Sequence, residues 1–496
     1  MAQLLTRLDL RGVRGELRPL LPGPKAVEEG PVQVVKEILA AVKAGGDTAV
    51  AELTQRFDGV VPASLRVPPE EIAAAAEQVS PELRTALGEA ARAIRDFHEA
   101  ELVAHHGFEH VGADGVVTQE LLVPVDRAGC YVPGGRAPLA STVLMTAILA
   151  KVAGVAQVVV CSPPGPDGHV ATAVLAAAAV AGVDEVYAVG GAQAIAAMAY
   201  GTATLRPVDV IVGPGNLYVA TAQRLVAQEG AVGVPSAFAG PSEVVVVADG
   251  SAPADYAALD LVVQAEHGPD GLAWLVSWSD EVAEAVEQAV ERFVAESPRR
   301  EEVTATLAQG GWSVLVGGPI QAMDVCNVVA PEHLELMTAD PDSLVPLVKA
   351  AGAVFCGPWA PASVGDYVAG PSHVLPTARS ARFSSALGTQ DFLKRVHVVR
   401  LDRQALRRVA PHVAAIAQAE GLAAHAESVT SRAGDPVAPM AASGPTDREK
   451  RVKLAPGGAP APPVAPAPPV APAPPVAPIV PVAPIVPVVP IVPVAQ

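Results

Sequence analysis

Several features that would fix a function class are missing from this 496-residue sequence. It has no excess of basic residues: 34 Lys and Arg stand against 52 Asp and Glu, a net charge of -18. That balance excludes a sequence-independent grip on nucleic acid or on an anionic membrane, which needs a basic face. Cysteine is scarce. The four residues Cys130, Cys161, Cys326 and Cys356 lie far apart without CxxC spacing, which excludes a disulfide framework and a Cys-rich zinc site. Reduced, buried thiols in a cytoplasmic protein are the expectation. No apolar tract reaches the ~20 residues that span a bilayer. Residues 142–150 are closed by Lys151 and residues 170–183 stop short, so both read as core elements. The first 20 residues interleave Arg7, Asp9, Arg11, Arg14, Glu16 and Arg18 with apolar positions and are not expected to act as a secretory signal. The dinucleotide fingerprint GxGxxG is also incomplete, because Gly213 and Gly215 are followed by Tyr218 where the third glycine belongs.

What is present is apolar: 50% of the chain is hydrophobic, enough for a large core. The length suits two to four domains, or one large domain with appendages. Residues 30–58, 71–78 and 81–106 carry helical periodicity with charged outer faces, so the first third is largely helical. From Val155 onward, short β-branched runs at 157–161, 185–189 and 208–212 alternate with Ala-rich helices at 171–181 and 192–200. A second set follows, with strands at 243–248, 272–276, 312–316 and 353–356 and helices at 256–265, 281–295 and 320–328. This is the pattern of βαβ units and parallel sheets. Ligands of such sheets bind beyond the strand C-termini, where glycines gather here: Gly190-Gly191, Gly213-Pro214-Gly215-Asn216, Gly240-Pro241-Ser242 and Gly357-Pro358. On pattern alone these are strand-to-helix turns, with a nucleotide site left open.

Two clusters carry chemistry. Gln264-Ala265-Glu266-His267 closes an apolar helical run stopped by Gly268-Pro269, and a spacing of three puts Gln264 and His267 on one face, within reach of one ion. Catalytic zinc takes three protein ligands and an open position. On spacing alone, therefore, the better description is a surface amide and an imidazole at a helix C-terminus, where a cation is favoured. Glu332-His333 places an acid beside an imidazole ahead of an apolar run; it is a proton-transfer pair or a helix start with an acid in its first turn. The segment 357–377 that follows is dense in Pro and Gly yet apolar and aromatic, the composition of a long functional loop.

With these segments in view, the chain resembles the histidinol dehydrogenase family. The motifs are Gly129-Cys-Tyr-Val-Pro-Gly-Gly135, Ser141-Thr-Val-Leu-Met145, Lys151-Val-Ala-Gly154, Gly213 to Asn216, Gly240-Pro-Ser-Glu243, Gln264 to Asp270, Ala330 to Leu336, Gly357 to Thr377, Ala381-Arg-Phe383 and Glu420-Gly-Leu-Ala-Ala-His425. They run in family order over residues of about 8 to 430. The resemblance implies one zinc ion per subunit held by Gln264, His267, Asp366 and His425, and a catalytic pair of Glu332 and His333. It implies NAD contacts at Tyr131, Gln193 and Asn216, and substrate contacts at Ser242, His373 and Glu420 in addition to the metal ligands and the catalytic pair. The implied activity is NAD-dependent oxidation of L-histidinol to L-histidine through histidinal, with a small-molecule amino alcohol as substrate and a homodimer with shared active sites. It gives Cys130 no catalytic role. Departures from the usual pattern at Leu139-Ala140, Leu149 and residues 234–240 lie near the cofactor and substrate segments. They keep open an alternative: a paralogous zinc and NAD dehydrogenase acting on another polar alcohol.

The expected fold is α/β: two incomplete Rossmann-like α/β modules with N-terminal helices, a small C-terminal helical piece and a disordered Pro-rich tail. The expected boundaries are 1–130 for the mostly helical N-terminal region, 131–240 for the NAD-side module and 241–385 for the module with the metal and catalytic segments. A helical piece at 386–435 is expected to cross a dimer, and 436–496 is the Pro/Ala/Val tail. Proline this dense denies helix and sheet and favours polyproline II. A solvated extension is expected, with recruitment of another protein through the tail as the contrasting reading.

Overall fold

A computed structural model describes residues 4–22, 31–134, 138–235, 242–266, 268 and 271–434. The tail at 436–496, His267, and the motif residues Gly135, Gly240, Pro241, Pro269 and Asp270 lie outside the described residues.

The chain opens with strand β1 (Thr6–Asp9) and three helices, α1 (Val32–Asp58), α2 (Pro69–Gln78) and α3 (Pro81–Ala104). Gly46, at φ 53°, bends α1 in its middle. Ser80 caps α3, its hydroxyl accepting the Leu83 N–H at 3.2 Å with Pro81 at the first helical position. Strands β2 (Glu109–Val111), β3 (Val117–Pro124) and β4 (Arg127–Tyr131) lead into α4 (Ala140–Val152). The first α/β set continues as β5 (Gln157–Ser162), α5 (Thr172–Ala181), β6 (Glu185–Ala188), α6 (Gly191–Tyr200), β7 (Val210–Val212) and α7 (Leu217–Gln228). Helices α4 and α5 contain the two apolar tracts, and both are core elements.

The second set comprises β8 (Glu243–Ala248), α8 (Ala254–Glu266), β9 (Leu272–Ser277), α9 (Asp280–Glu296), α10 (Arg300–Gly310), β10 (Gly311–Leu315), α11 (Pro319–Val329), β11 (His333–Met337), β12 (Ala353–Cys356) and α12 (Ala362–Tyr367). Strand β13 (Leu393–Arg400) and helices α13 (Arg403–Ala419) and α14 (Ala423–Ala433) close the described chain.

Among the described residues the strands form three sheets. The first is parallel, ordered β6-β5-β4-β7, and the second is parallel, ordered β1-β10-β9-β8-β11-β12. Each parallel sheet has a separate apolar cluster on either face, as expected of strands that are hydrophobic on both sides. The third is antiparallel, β13-β3-β2, and pairs residue 393 with residue 124 across the length of the chain. Strand β1 docks on β10 at the edge of the second sheet, so the mostly helical N-terminal third also supplies a strand to the later module. Strand β11 (His333–Met337) is entered shortly after a left-handed turn at Ala330, φ 50°. The helix-start reading of Glu332-His333 is thereby overturned.

Candidate active site

The first sheet places its turns as the α/β pattern predicts, at the C-terminal ends of the strands. Tyr131 ends β4, and its hydroxyl accepts the N–H of Gly191 at 3.1 Å, fastening the start of α6. Gly213 follows β7 at φ 109°, and a Cβ there would lie 2.2 Å from the Tyr131 carbonyl oxygen, so only glycine fits. Asn216 caps α7, its side-chain oxygen accepting the Tyr218 and Val219 N–H groups at 3.0 and 3.1 Å. Tyr131, Gly191, Gln193 and Asn216 line a cavity of about 880 Å³ together with Arg56 and Asp58 from the end of α1. Gln193 is 1% exposed, and both its amide oxygen and its amide nitrogen are buried without a hydrogen-bond partner. The Asp58 Oδ2 is likewise buried and unpartnered, and burial raises that carboxyl. Unsatisfied buried polar atoms are costly in an empty protein; here two amide atoms of Gln193 and one carboxyl oxygen of Asp58 border a cavity of ligand size. Asp58 was not singled out by sequence. It ends α1, whose left-handed cap Gly59 (φ 75°) reads in sequence only as a helix stop.

The second sheet reverses the arrangement. Ser242 precedes β8, Glu332 precedes β11 and His333 is the first residue of β11, all at the N-terminal edge rather than the C-terminal edge that sheet logic predicts. The C-terminus of α8 arrives at the same edge, because a crossover helix runs antiparallel to its strands. It brings Gln264, whose Oε1 accepts the Ser242 hydroxyl at 3.1 Å. Strand β12 and the loop after it lead to α12 and Asp366. The His333 ring lies 3.8 Å from Glu332 through Nδ1 and 3.8 Å from Asp366 through Nε2. Gln264, His333 and Asp366 line a cavity of about 10 Å³, room for a single water-sized sphere. His373 reaches the site from the following loop, its Nδ1 2.9 Å from the Asp366 carbonyl oxygen and its Nε2 3.3 Å from the Thr142 hydroxyl.

The electrostatics suit proton transfer. Burial raises the Glu332 carboxyl to about 8, the Asp366 and Glu243 carboxylates adding to the effect, against hydrogen bonds from the Ser242 hydroxyl and the Glu243 N–H. Burial likewise raises Glu243 to about 7, opposed by Arg379. Burial lowers the His373 imidazole although Asp366 acts in the other direction. The Cys130 thiol, fully buried in β4, is pushed up to about 12 by burial, which denies it the thiolate a covalent mechanism requires. Glu332 and His373 also line a cavity of about 100 Å³ with Gly213, Pro214 and Gly215 of the first sheet. The C-terminal edge of one sheet therefore meets the N-terminal edge of the other.

Glu420 and His425 are exposed on the α13–α14 hairpin, which is tied to the β2–β3 turn by Arg408 donating to the Asp114 carbonyl at 2.7 Å. No described contact brings either residue to Gln264 or Asp366. Among the described residues no three His, Cys, Asp or Glu side chains gather closely enough to hold a metal ion; His267 is outside them. A test of metal fit remains possible at Gln264. Its Nε2 is buried and unpartnered. Turning the amide over lets nitrogen donate to Ser242 and puts an oxygen in its place, a ligand suited to a cation beside the Asp366 carboxylate. The residues fit the group.

The histidinol dehydrogenase family model matches residues 24–433. A histidinol dehydrogenase from Synechococcus sp. is 48% identical over 400 residues, covering 80% of this chain and 91% of the relative. One from Methanothermobacter thermautotrophicus is 44% identical over 401 residues, covering 81% and 93%. The crystal structure of histidinol dehydrogenase from Elizabethkingia anophelis superposes with a TM-score of 0.83 at 32% identity, covering 87% of this chain and 98% of that one.

Proposed function

The chain belongs to the histidinol dehydrogenase family, which catalyses the final steps of histidine biosynthesis, and from that premise we propose that it is a zinc- and NAD-dependent enzyme oxidising L-histidinol to L-histidine. The observation that carries the reading is the junction of the two sheet edges, where Glu332 and His373 share a cavity with the Gly213–Gly215 turn.

Gln264, Asp366, His267 and His425 would hold zinc; Tyr131, Gln193 and Asn216 would hold NAD. When bound, zinc seats the substrate by its nitrogens and NAD takes up one hydride in each of two oxidations. His333 removes the alcohol proton as the hydride leaves, its ring held between Glu332 and Asp366. Glu332, raised to about 8 by burial, then takes a proton, in its ionised form, from the water that attacks the aldehyde. Ser242, His373 and Glu420 hold the polar ends of the substrate. The buried apolar walls around β8 and β11 limit competing water.

Glu420 and His425 complete the site from a second copy of the chain, so the enzyme works as a homodimer; their exposure on α13–α14, away from their own chain's cavity, supports this. The acidic surface and the buried free thiols Cys130, Cys161 and Cys326 support a cytoplasmic setting. The test is NADH production by purified protein against histidinol, other amino alcohols and diols. Two NADH per histidinol are expected; turnover of a different alcohol with none of histidinol would replace the substrate.

A further inference from the structure

We propose that Asp260 and Glu335, neither of them a ligand nor part of the catalytic pair, are a hydrogen-bonded positioning pair that locks the three elements carrying Gln264, His333 and Asp366 into one block. The inference rests on the reading of the cavity at Gln264 and Asp366 as a zinc site.

Side chains alternate along β11, so His333, Glu335 and Met337 share one face while Leu334 and Leu336 face the other cluster. Apart from His333 and Asp260, the face of Glu335 is apolar, built from Val244 and Val246 of β8, Leu261 and Ala265 of α8, and Met337. A leucine would fill that place. Glu335 is instead 1% exposed in the interior of a six-stranded sheet. Its Oε1 accepts the N–H of Ala362, the first residue of α12, at 2.9 Å; Asp366 follows one turn later. Its Oε2, buried with no donor against it, faces the carboxyl of Asp260, which lies one turn before Gln264 on α8. Asp260 itself lines the cavity with Gln264, His333 and Asp366.

Two carboxyl groups bond to each other only when a proton lies between them. The pair uses Glu335 Oε1 on the Ala362 N–H. From one buried point it fixes the helix of Gln264, the strand of His333 and the helix of Asp366. This is the role that groups behind metal ligands play in setting affinity.

The measurement is zinc release from the full-length, zinc-loaded protein to a chromogenic chelator, with melting of the apo-protein and kcat recorded beside it. Asp260→Ala is expected to release zinc at least ~10-fold faster than wild type, whereas Asp260→Asn, which can donate to Glu335, stays within about threefold. The double variant Asp260→Leu/Glu335→Leu separates positioning from filling. It is expected to melt at or above the wild-type temperature, since apolar residues replace a buried polar pair, yet to release zinc as fast as Asp260→Ala and to lose kcat with the KM for NAD unchanged. Wild-type zinc retention in the double-leucine protein, or failure of Asp260→Asn to improve on Asp260→Ala, would overturn the proposal. Should Asp260→Ala not fold, the double-leucine and asparagine proteins decide alone. A wild-type protein fully active without zinc would instead refute the zinc reading, which is visible before any variant is made.

Discussion

The two parallel sheets use opposite edges. The first offers the C-terminal ends of its strands, and there backbone does the work: Gly213 lets the chain approach Tyr131 so closely that a Cβ would lie 2.2 Å from the Tyr131 carbonyl oxygen, and Asn216 closes a helix start. The second offers the N-terminal ends, where side chains do it: Ser242, Glu332 and His333 at strand starts, Gln264 at a helix end. Open backbone amides suit a large cofactor with phosphates, whereas a small cation and a small alcohol need convergent side-chain donors. A cavity of about 100 Å³ is bordered by both edges, and under the proposed function it would bring hydride donor and acceptor together.

The largest expected effect tests whether the second edge is complete in one chain. Asp366→Ala and His425→Ala are each expected to be inactive, and mixing them after mild dissociation should restore roughly a quarter of wild-type activity, because half the sites of mixed dimers are intact under twofold symmetry. Absence of rescue would place His425 at its own chain's metal. A smaller effect separates the catalytic pair from the ligands: His333→Asn is expected to lower the rate of both oxidations about 10²- to 10⁴-fold while zinc content holds, and Glu332→Gln to harm mainly the aldehyde step. Single-turnover rates for each half-reaction check this; near-normal turnover in His333→Asn removes it from the mechanism.

The legibility of the two edges in sequence differs for the same reason. Glycine turns and βαβ periodicity are local, so β5 to β7 and β8 to β10 are legible within a residue or two. The N-terminal edge is not local. Gln264 and Asp366 are about a hundred residues apart, and spacing alone favoured an idle surface amide; the family resemblance, not periodicity, assembled the set. Glu335 was legible in principle: in His333-Leu-Glu-Leu-Met337 the period of two puts an acid on a buried face, but the helix alternative obscured it. Asp58 had no signal, being the last residue of a helix that reaches the cofactor cavity through tertiary packing. The β13-β3-β2 sheet was also hidden, since Leu393–Arg400 is charged and mostly exposed and pairs with a partner far away in sequence.

The smallest effect concerns neither edge and serves as a control. Burial alone would raise Glu101, but hydrogen bonds from His98 and from the Thr389 N–H and hydroxyl outweigh it and hold the carboxyl at about 2. A carboxyl depressed below its ordinary value of 4.5 stabilises the fold above that value and loses the contribution as pH falls toward 2. Glu101→Gln should therefore melt a few degrees lower at pH 7, with the gap to wild type closing progressively below pH 4.5, as followed by circular dichroism. A gap independent of pH would mean that the carboxylate's charge is not what fastens α3 to the turn at Thr389.

The division of labour between the edges is tested most directly by titrating zinc and NAD separately into folded wild type, Gly213→Ala and Gln264→Ala. Gly213→Ala is expected to weaken NAD at least ~10-fold, about 1.4 kcal/mol, and leave zinc as in wild type, whereas Gln264→Ala is expected to weaken zinc ~10- to 100-fold and leave NAD as in wild type. Equal loss of both ligands in either folded variant would contradict two separate edges meeting at one site.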